Sequence, residues 1–220
     1  MKSTSRPVKK KRSGSTATYW LVGIVAVMVA LALIVMVGQN QAGVQGAKTF
    51  GNTLGNANAP VTLEVYADFQ CPACGQFDRQ TLPQIIDKYV NTGKVKVVFN
   101  HFAFIGDEST RAAEASECAN DQGKFWDFAS LLYNNQAGEN QGAFSDANLA
   151  KFAQQLGLDM AKYNQCMTSH LHLAKIQSST QNGTIRGVSS TPTLFINNQP
   201  ARGAISIQTF DALVAPLLKQ

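Results

Sequence analysis

Two cysteines separated by two residues stand in the stretch ADFQCPACGQF, residues 67 to 77. A Cys-x-x-Cys pair of this kind either binds a metal ion through its thiolates or cycles between a dithiol and a disulfide. The chain has four cysteines and three histidines, so the other two cysteines and the histidines decide between these chemistries. Cys71 and Cys74 are the first candidates for a reactive site.

A metal site at this pair would need further ligands, and the rest of the sequence offers few. Cys118 and Cys166 are far apart and neither belongs to a second close pair, whereas structural zinc sites generally use two such pairs. His170 and His172 are the remaining partners to consider, but we expect them on an exposed or amphipathic side of a helix. The pattern favours redox chemistry over metal binding, and no metal or other cofactor is predicted.

The elements around the pair place Cys71 at the junction of a strand and a helix. Residues 61 to 69 predict a strand buried on both faces, and the apolar spacing after Cys74 predicts a helix that ends near Gly93. A thiol at a helix start meets unpaired backbone N–H groups and the positive end of the helix dipole, which favour its thiolate. Pro72 suits the first helical position, and Cys74, one turn on, can attack a mixed disulfide held by Cys71.

The remaining pattern predicts an α/β fold with a helical insertion. Residues 94 to 102 predict a second strand, and the order strand, helix, strand implies a right-handed crossover between parallel strands. Helical spacing then runs from about 108 to 182, with a helix start at Ser145 and a stop at Gly157. An Asn-rich hairpin around NNQ and a last helix at about 206 to 218 complete the chain.

Charge is divided unevenly along the chain. Six of the 19 basic residues lie before residue 13 with no acid among them, which leaves 13 basic against 14 acidic residues in the rest. A short basic run beside an apolar segment does not make a basic face on the folded part, so a nucleic-acid partner is excluded.

An uncharged apolar segment, residues 19 to 38, follows the basic run and predicts a transmembrane anchor. Its length matches the roughly 20 residues that a helix needs to cross a bilayer, and the preceding KKKR places residues 1 to 18 in the cytoplasm as a basic tail. A cleaved signal peptide is the competing interpretation, although its apolar region usually has about 7 to 15 residues. Residues 39 to 52 predict a flexible tether, so residues 53 to 220 form an extracytoplasmic domain, where disulfides persist.

The motifs DFQCPAC, TLP, CANDQGKFWDF, LYNNQ and GVSSTPTLFINNQ occur in this order across the predicted domain. In this combination the chain resembles the DsbA-like thiol-disulfide oxidoreductases of the thioredoxin fold, and above all their membrane-anchored branch in actinobacteria and other Gram-positive lineages. The resemblance covers roughly residues 53 to 218. It implies a thioredoxin-like α/β fold with a helical insertion at about residues 107 to 183, preceded by one N-terminal transmembrane helix.

The resemblance also implies roles for individual residues. Cys71 matches the nucleophile and Cys74 the resolving cysteine, while Cys118 and Cys166 resemble a second, structural disulfide of this branch. The dipeptide that tunes the reduction potential matches Pro72 and Ala73. The loop that faces the pair matches Thr191, whose backbone would bind an extended substrate peptide, and Pro192 as a cis-proline.

Two positions depart from the family pattern. Many relatives carry an acidic residue six positions before the nucleophile to help move protons, and this chain has Val65 there. Relatives in this branch also often carry an acid just before the Asp of this strand end, where this chain has Ala67. We therefore assign no proton-transfer role to Glu64 or Asp68; Asp68 is equally plausible as a strand-end residue that bonds local amides, and His101 is expected to be structural.

Three functions remain open on the sequence alone. The first hypothesis is an oxidase that introduces disulfides into exported proteins through the CPAC pair and is reoxidised by a membrane partner of the DsbB or vitamin K epoxide reductase type. The second is an extracytoplasmic thiol reductase, for example of the cytochrome c maturation type, and the third is a non-catalytic anchored module that binds metal or protein. Loss of a motif cysteine would favour the third function. Because both cysteines are present, we predict an enzyme. We also expect it to act as a monomer.

Overall fold

The structure of the protein, a computed structural model, describes residues 49–219. Within this range no helix combines the length and the apolar character that crossing a membrane requires. The predicted basic tail, residues 1 to 18, and the predicted anchor, residues 19 to 38, lie outside the described residues, as does most of the predicted tether.

A six-stranded sheet forms the centre of the described domain. Its strands are β1 (Thr49–Phe50), β2 (Thr53–Leu54), β3 (Val61–Ala67), β4 (Val95–His101), β5 (Thr193–Ile196) and β6 (Gln199–Arg202). They lie in the order β1, β2, β4, β3, β5, β6, with β3 and β4 parallel and the other neighbours antiparallel. β1 lies within residues 39 to 52, which the sequence predicts as tether, so the sheet extends ahead of the predicted domain start at residue 53.

A helical run connects β3 to β4 and begins directly after Cys71. It consists of α1 (Pro72–Gln76), a π-helical stretch (Phe77–Thr81), α2 (Leu82–Ile85) and a second π-helical stretch (Ile86–Val90). Gly93 follows with a φ of 73°, a conformation that suits glycine at a helix end. The predicted order of strand, helix and parallel strand is confirmed.

β3 is less buried than its sequence predicts, because Thr62 and Glu64 are half-buried. The Glu64 carboxylate forms an ion pair with Arg186, at 2.5 Å between Oε2 and Nη1. The guanidinium of Arg186 also lies 4.0 Å from the centre of the Phe195 ring. This pairing explains how a carboxylate is accommodated on a partly covered face of the sheet.

Five helices between β4 and β5 form the predicted insertion. They are α3 (Asp107–Asn120), α4 (Phe125–Asn134), α5 (Asp146–Gln155), α6 (Met160–Thr168) and α7 (Leu173–Ile185). Ser145 and Gly157 flank α5, as predicted. The last helical pattern of the insertion is divided between α6 and α7, because His170 takes a left-handed φ of 51°. A disulfide between Cys118 and Cys166 joins α3 to α6, with 5.9 Å between the two Cα atoms.

The C-terminal part closes the sheet and the core. β5 and β6 form the predicted hairpin, with Asn197 and Asn198 at φ values of 46° and 68° in a tight turn of the primed type. α8 (Ile207–Val214) begins after Ser206, whose hydroxyl accepts a hydrogen bond from the Thr209 N–H. The regular helix ends at Val214, before the predicted end near residue 218. Ala215 keeps helical backbone, but Pro216 has no N–H group to donate to the Ala212 carbonyl oxygen, so the helical hydrogen bonds are interrupted there.

Aromatic rings fill the core beneath the CPAC turn. Phe69 stacks on Phe99 with 5.2 Å between ring centres, and Tyr133 of α4 lies 5.1 Å from Phe69. Phe125 and Trp126, also of α4, meet the Phe99 ring edge to face. All five rings are buried, so the insertion packs directly against the end of the sheet that carries the two thiols.

Candidate active site

The end of β3 and the start of α1 place Cys71 where the sequence predicts it. Cys71 is the residue before the helix, with an extended backbone at φ −67° and ψ 120°, and Pro72 occupies the first turn. Cys71 is 7% exposed and Cys74 only 2% exposed, and both are free thiols. The sulfur that a partner protein can reach is therefore that of Cys71.

The surroundings of Cys71 favour its thiolate. The largest contribution is a hydrogen bond that the Cys74 thiol donates to the Cys71 sulfur, and burial acts against it. Further hydrogen bonds to this sulfur come from the Thr191 hydroxyl and from the backbone N–H groups of Cys74 and Ala73. The net effect is to lower the pKa of Cys71 to about 6. The sequence predicts stabilisation by the helix start. The structure adds a larger contribution from the neighbouring thiol, which sequence position alone does not reveal.

Cys74 has the opposite preference. Burial raises the pKa of the Cys74 thiol far above its ordinary range, and the negative charge and hydrogen bonding of Cys71 raise it further. At neutral pH the pair therefore holds one thiolate and one proton, on Cys71 and Cys74 respectively. A pair in this state can start an exchange reaction from the outer sulfur and complete it only when the inner sulfur loses its proton.

The loop before β5 lies against the thiol pair. The Thr191–Pro192 peptide bond is cis. The Cys71 sulfur lies 3.2 Å from the Thr191 carbonyl oxygen, and in its protonated form Cys71 donates a hydrogen bond to this oxygen. The Thr191 hydroxyl is buried beside the Cys71 sulfur, and Pro192 lines the cavity beneath Cys74. The structure thus places Thr191 and Pro192 next to the two cysteines.

Asp68 holds the turn that carries Cys71. This buried carboxylate accepts hydrogen bonds from four donors, the backbone N–H groups of Gln70, Phe104 and Ile105 and the hydroxyl of Ser109. The four donors belong to the CPAC turn, the loop after β4 and the start of α3. Asp68 therefore acts as the strand-end residue that binds local amides, one of the two roles considered for it.

A glutamine of the insertion, which the sequence analysis missed, also binds this turn. The side-chain amide of Gln136 donates to the carbonyl oxygens of Phe69 and Cys71, at 2.8 and 2.9 Å. A side chain at position 75 would collide with Gln136, so Gly75 leaves the room that this contact requires. The insertion is thereby tied to the reactive turn by hydrogen bonds as well as by ring packing.

Asp78 is a second residue that the sequence analysis missed. It lies one turn after Cys74 in the same helical run and, with Cys74, lines a small cavity beneath the thiols. Burial raises the pKa of Asp78 to about 7, and the positive charge of Arg79 offsets only part of this effect. The spacing of four residues from Cys74 was the available signal, because positions i and i+4 share a helix face.

His170 and His172 lie on the insertion, where His172 is close to Cys166. Asp121, Cys166 and His172 bring three potential ligand atoms within 4.8 Å of one another, but the Cys166 sulfur is bonded to Cys118 and offers no thiolate. His170 and His172 were expected on the side of a helix; they lie instead at the break between α6 and α7. There they pair with acids, His170 with Glu114 at 3.0 Å and His172 with Asp121 at 2.8 Å.

Comparison with known proteins gives consistent results at the level of family and fold. A family model described as thioredoxin matches residues 49–215. Over 218 residues the chain is 26% identical to the probable disulfide bond formation protein D of Bacillus anthracis, covering 96% of this chain and 98% of that protein. The crystal structure of oxidised BdbD from Bacillus subtilis is similar with a TM-score of 0.72 at 23% identity, over 81% of this chain and 99% of that chain.

A further relative is a much longer protein than this chain. The chain is 30% identical over 162 residues to the Na(+)/H(+) antiporter NhaA 1 of Salinispora arenicola, a match that covers 73% of this chain. The match covers 24% of the antiporter, so the chain spans about a quarter of the length of this relative.

Proposed function

Because this chain belongs to the thioredoxin family, we propose that it is an extracytoplasmic thiol-disulfide oxidoreductase that introduces disulfides into exported proteins. The observation that carries this proposal is the unequal state of the two thiols, a Cys71 with a pKa lowered to about 6 beside a buried Cys74 with a raised pKa. A nucleophile of this kind, followed at once by a resolving thiol, is the arrangement that disulfide exchange requires.

The proposed cycle moves two electrons from a substrate to the enzyme; one proton ends on Cys74, and the other proton of the two substrate thiols goes to solvent. A substrate thiolate attacks the Cys71 sulfur of the Cys71–Cys74 disulfide, the bond between the two enzyme sulfurs breaks, and Cys74 leaves and takes up a proton. A second substrate thiolate then attacks the substrate sulfur of the mixed disulfide, and Cys71 leaves as a thiolate. The substrate keeps a disulfide, and the enzyme is left reduced, with a Cys71 thiolate beside a Cys74 thiol.

The lowered pKa of Cys71 also supports the direction of exchange. A stable thiolate stabilises the reduced enzyme relative to its disulfide, and this makes the disulfide a stronger oxidant. Pro72 and Ala73, between the two sulfurs, are proposed to tune this potential. The half-buried Thr191 beside Cys71 is proposed to bind the substrate backbone, with Pro192 holding the loop against the thiols.

A cycle of this kind needs an external oxidant and an oxidising location. We place residues 19 to 38 in the cell membrane, with the N-terminus in the cytoplasm and the catalytic domain outside. A disulfide between Cys118 and Cys166 fits this location, since disulfides persist outside the cytoplasm. The reoxidant is proposed to be a membrane protein of the DsbB or vitamin K epoxide reductase type, whose own disulfide accepts the two electrons.

The test is disulfide transfer to a reduced, unfolded secreted protein by the oxidised full-length chain in detergent. We expect one substrate disulfide per enzyme disulfide consumed, and no transfer by Cys71→Ser. The equilibrium of the pair against glutathione gives the direction, with a potential near about −120 mV for an oxidase. A potential near about −270 mV would instead assign the chain to reduction.

A second experiment identifies substrates. In Cys74→Ala the mixed disulfide on Cys71 cannot be resolved by the enzyme, so exported proteins should be recovered covalently attached to it. Cys71→Ala is the matched control and should trap none. Absence of any adduct in oxidising growth medium would contradict a substrate-facing Cys71.

A further inference from the structure

Four side chains that can bind a metal ion surround the second cysteine pair. Cys118 lies in the last turn of α3, and Asp121 directly follows this helix. Cys166 lies in the last turn of α6, and His172 is the residue before α7. One ligand atom each of Asp121, Cys166 and His172 lies within 4.8 Å of the others, and the Cys118 sulfur is bonded to that of Cys166. Thiolates, imidazoles and carboxylates are the groups that bind zinc in proteins.

The four residues form two close pairs in the sequence. Two residues separate Cys118 from Asp121, and five separate Cys166 from His172. Structural zinc sites commonly take their ligands from two such pairs, with about two to five residues inside each pair. A search for paired cysteines alone misses this arrangement, because the second member of each pair is an acid or a histidine.

The break between α6 and α7 brings His172 to this place. In an uninterrupted helix, a residue six positions after Cys166 would point about 120° away from it around the helix axis. His170 takes a left-handed φ of 51°, and the Leu171 N–H donates to the Cys166 carbonyl oxygen at 3.2 Å. The chain therefore turns back toward the end of α3, and His172 Nε2 lies 2.8 Å from Asp121 Oδ2.

We propose that the reduced Cys118–Cys166 pair binds one zinc ion together with His172 and Asp121, and that oxidation of the pair releases this ion. The zinc ion and the disulfide are alternative cross-links between the same segments, since each joins the end of α3 to the end of α6. The site contains neither Cys71 nor Cys74, so it is independent of the exchange function proposed above.

Small side-chain movements are enough to form a tetrahedral site. With Zn–S bonds of about 2.3 Å, two sulfurs on one zinc ion lie about 3.8 Å apart, which is near the contact distance of two atoms that are not bonded. The Cα atoms of Cys118 and Cys166 are already 5.9 Å apart. The Cys166 sulfur lies 4.0 Å from Asp121 Oδ2, and about 3.6 Å is expected for two such ligands of one zinc ion. The contact between His172 and Asp121 widens by about 0.6 Å.

The site is open to solvent on one side. The Asp121 side chain is 45% exposed and that of His172 is partly exposed, whereas both cysteines are buried. An ion can therefore enter past the carboxylate and reach the sulfurs from outside. An entry path of this kind is needed for a metal ion to bind to a folded chain.

The binding and release steps balance. A newly made chain carries both cysteines as thiols; Zn²⁺ displaces their two protons to solvent and binds the two thiolates, the neutral Nε2 of His172 and the Asp121 carboxylate. On oxidation, one of the two thiolates attacks a disulfide of an external oxidant, and one sulfur of the oxidant leaves as a thiolate. The other cysteine thiolate then attacks the mixed disulfide and expels the second oxidant thiolate. The Cys118–Cys166 bond forms, the oxidant has gained two electrons, and Zn²⁺ leaves for solvent.

The test uses the full-length chain in detergent with Cys71→Ala/Cys74→Ala, so that no thiol of the CPAC turn can bind metal. The protein is reduced with a phosphine, freed of the reductant without oxygen, and titrated with Zn²⁺ against a chromogenic chelator. We expect one zinc ion per reduced chain and none per oxidised chain. Co²⁺ in place of Zn²⁺ should show the thiolate charge-transfer band and the intense visible bands of tetrahedral coordination. Oxidised glutathione should release the zinc in step with formation of the disulfide.

Two neighbouring histidines provide a matched pair of variants in the same background. His172→Ala removes a ligand and should weaken zinc binding by at least about 100-fold, since even residues that only orient a ligand contribute about 10- to 100-fold. Asp121→Ala should also weaken binding and alter the Co²⁺ spectrum. His170→Ala removes the histidine that pairs with Glu114, and it should leave the zinc affinity unchanged.

Circular dichroism keeps the test decisive if the reduced chain does not fold without metal. In that case zinc should restore the helical signal, because the free energy of zinc binding is then free energy of folding, and His172→Ala should show no such recovery. A reduced chain that neither binds zinc nor refolds with it would overturn the proposal, as would equal zinc affinity in His172→Ala and His170→Ala. Failure of the oxidised wild type to transfer disulfides would overturn only the proposed function.

Discussion

The two cysteine pairs of the chain lie in regions with different surroundings. Cys71 and Cys74 lie at a helix start, unbonded, in environments that move their pKa values in opposite directions. Cys118 and Cys166 lie in the last turns of α3 and α6 and are joined by a disulfide. The same residue type is thus reactive where one sulfur is stabilised as an anion, and structural where two helices need a covalent connection.

The charged residues around the two cysteine pairs also differ. At the CPAC turn one buried carboxylate, Asp68, is satisfied by four uncharged donors, which fix the backbone without placing a positive charge beside the thiols. Around the second pair, three carboxylates on one side of α3 and its end each meet a histidine. These pairs are Glu114 with His170, Glu117 with His101 and Asp121 with His172. The insertion is therefore held by a disulfide and by acid–histidine pairs, whereas the reactive turn is held by hydrogen bonds from uncharged donors.

The largest difference between the two pairs should appear in catalysis. Cys71→Ser removes the nucleophile, and disulfide transfer should fall by on the order of 10⁴-fold or more, since no other group replaces it. The double variant Cys118→Ala/Cys166→Ala should keep transfer within about tenfold at temperatures where it is folded. Transfer assays on both proteins check this. A double variant as inactive as Cys71→Ser, while folded, would contradict the division of roles.

For the free energy of unfolding, in contrast to catalysis, we expect the second cysteine pair to matter more than the first. The Cys118–Cys166 disulfide closes a loop with a sequence separation of 48, and its removal should cost about 4 kcal/mol in the free energy of unfolding on the chain-entropy account. Denaturant unfolding of Cys118→Ala/Cys166→Ala measures the loss. A change below about 1 kcal/mol would show that the ion pairs on α3 hold the insertion without the disulfide.

Asp68 connects stability with reactivity at the CPAC turn. Asp68→Ala leaves four donors without their acceptor, of which those of Gln70 and Ser109 belong to buried residues, and we expect the free energy of unfolding to fall by about 3 kcal/mol. The same variant should raise the pKa of Cys71, because the turn that presents the Ala73 and Cys74 N–H groups to the sulfur loosens. Denaturant unfolding and the pH dependence of alkylation measure the two effects, with exposed Asp87→Ala as control.

Acid should weaken the insertion through Glu117. Although burial opposes it, hydrogen bonds from His101, Asn120 and Lys175 lower the pKa of Glu117 to about 2. A carboxylate with a lowered folded pKa stabilises the fold above its unfolded pKa and loses that contribution as the pH falls through the folded value. Wild type should therefore lose stability between about pH 5 and pH 2 more steeply than Glu117→Gln. Equal slopes in denaturant unfolding series would contradict this assignment.

The sequence predicts the parts of the fold and site that local patterns determine. The strand, helix and parallel strand around CPAC follow from apolar spacing, and Cys71 and Pro72 take the positions that helix-start chemistry favours. The division at His170 is not predictable in this way, because a single left-handed residue interrupts a pattern that otherwise favours helix. Likewise, the strand Thr49–Phe50 lies in a Gly- and Asn-rich segment and is specified by its partner β2.

The contacts that adjust the thiols come from distant parts of the chain. Gln136 reaches the CPAC turn from 65 residues away and Thr191 from 120 residues away, so neither contact leaves a local signal. Asp78 does leave one, its spacing from Cys74, but only burial in the folded domain raises its pKa. Motif spacing therefore locates the reactive pair, and tertiary packing sets its chemistry.

The most direct test of the account is the pH dependence of alkylation of the reduced full-length protein, with peptide mapping to separate the two thiols. We predict that Cys71 reacts with an inflection near pH 6 and that Cys74 stays unreactive throughout the neutral range. An inflection for Cys71 near that of a free thiol, at about pH 8.5, or equal reactivity of the two thiols, would contradict the unequal pair on which the proposed function depends.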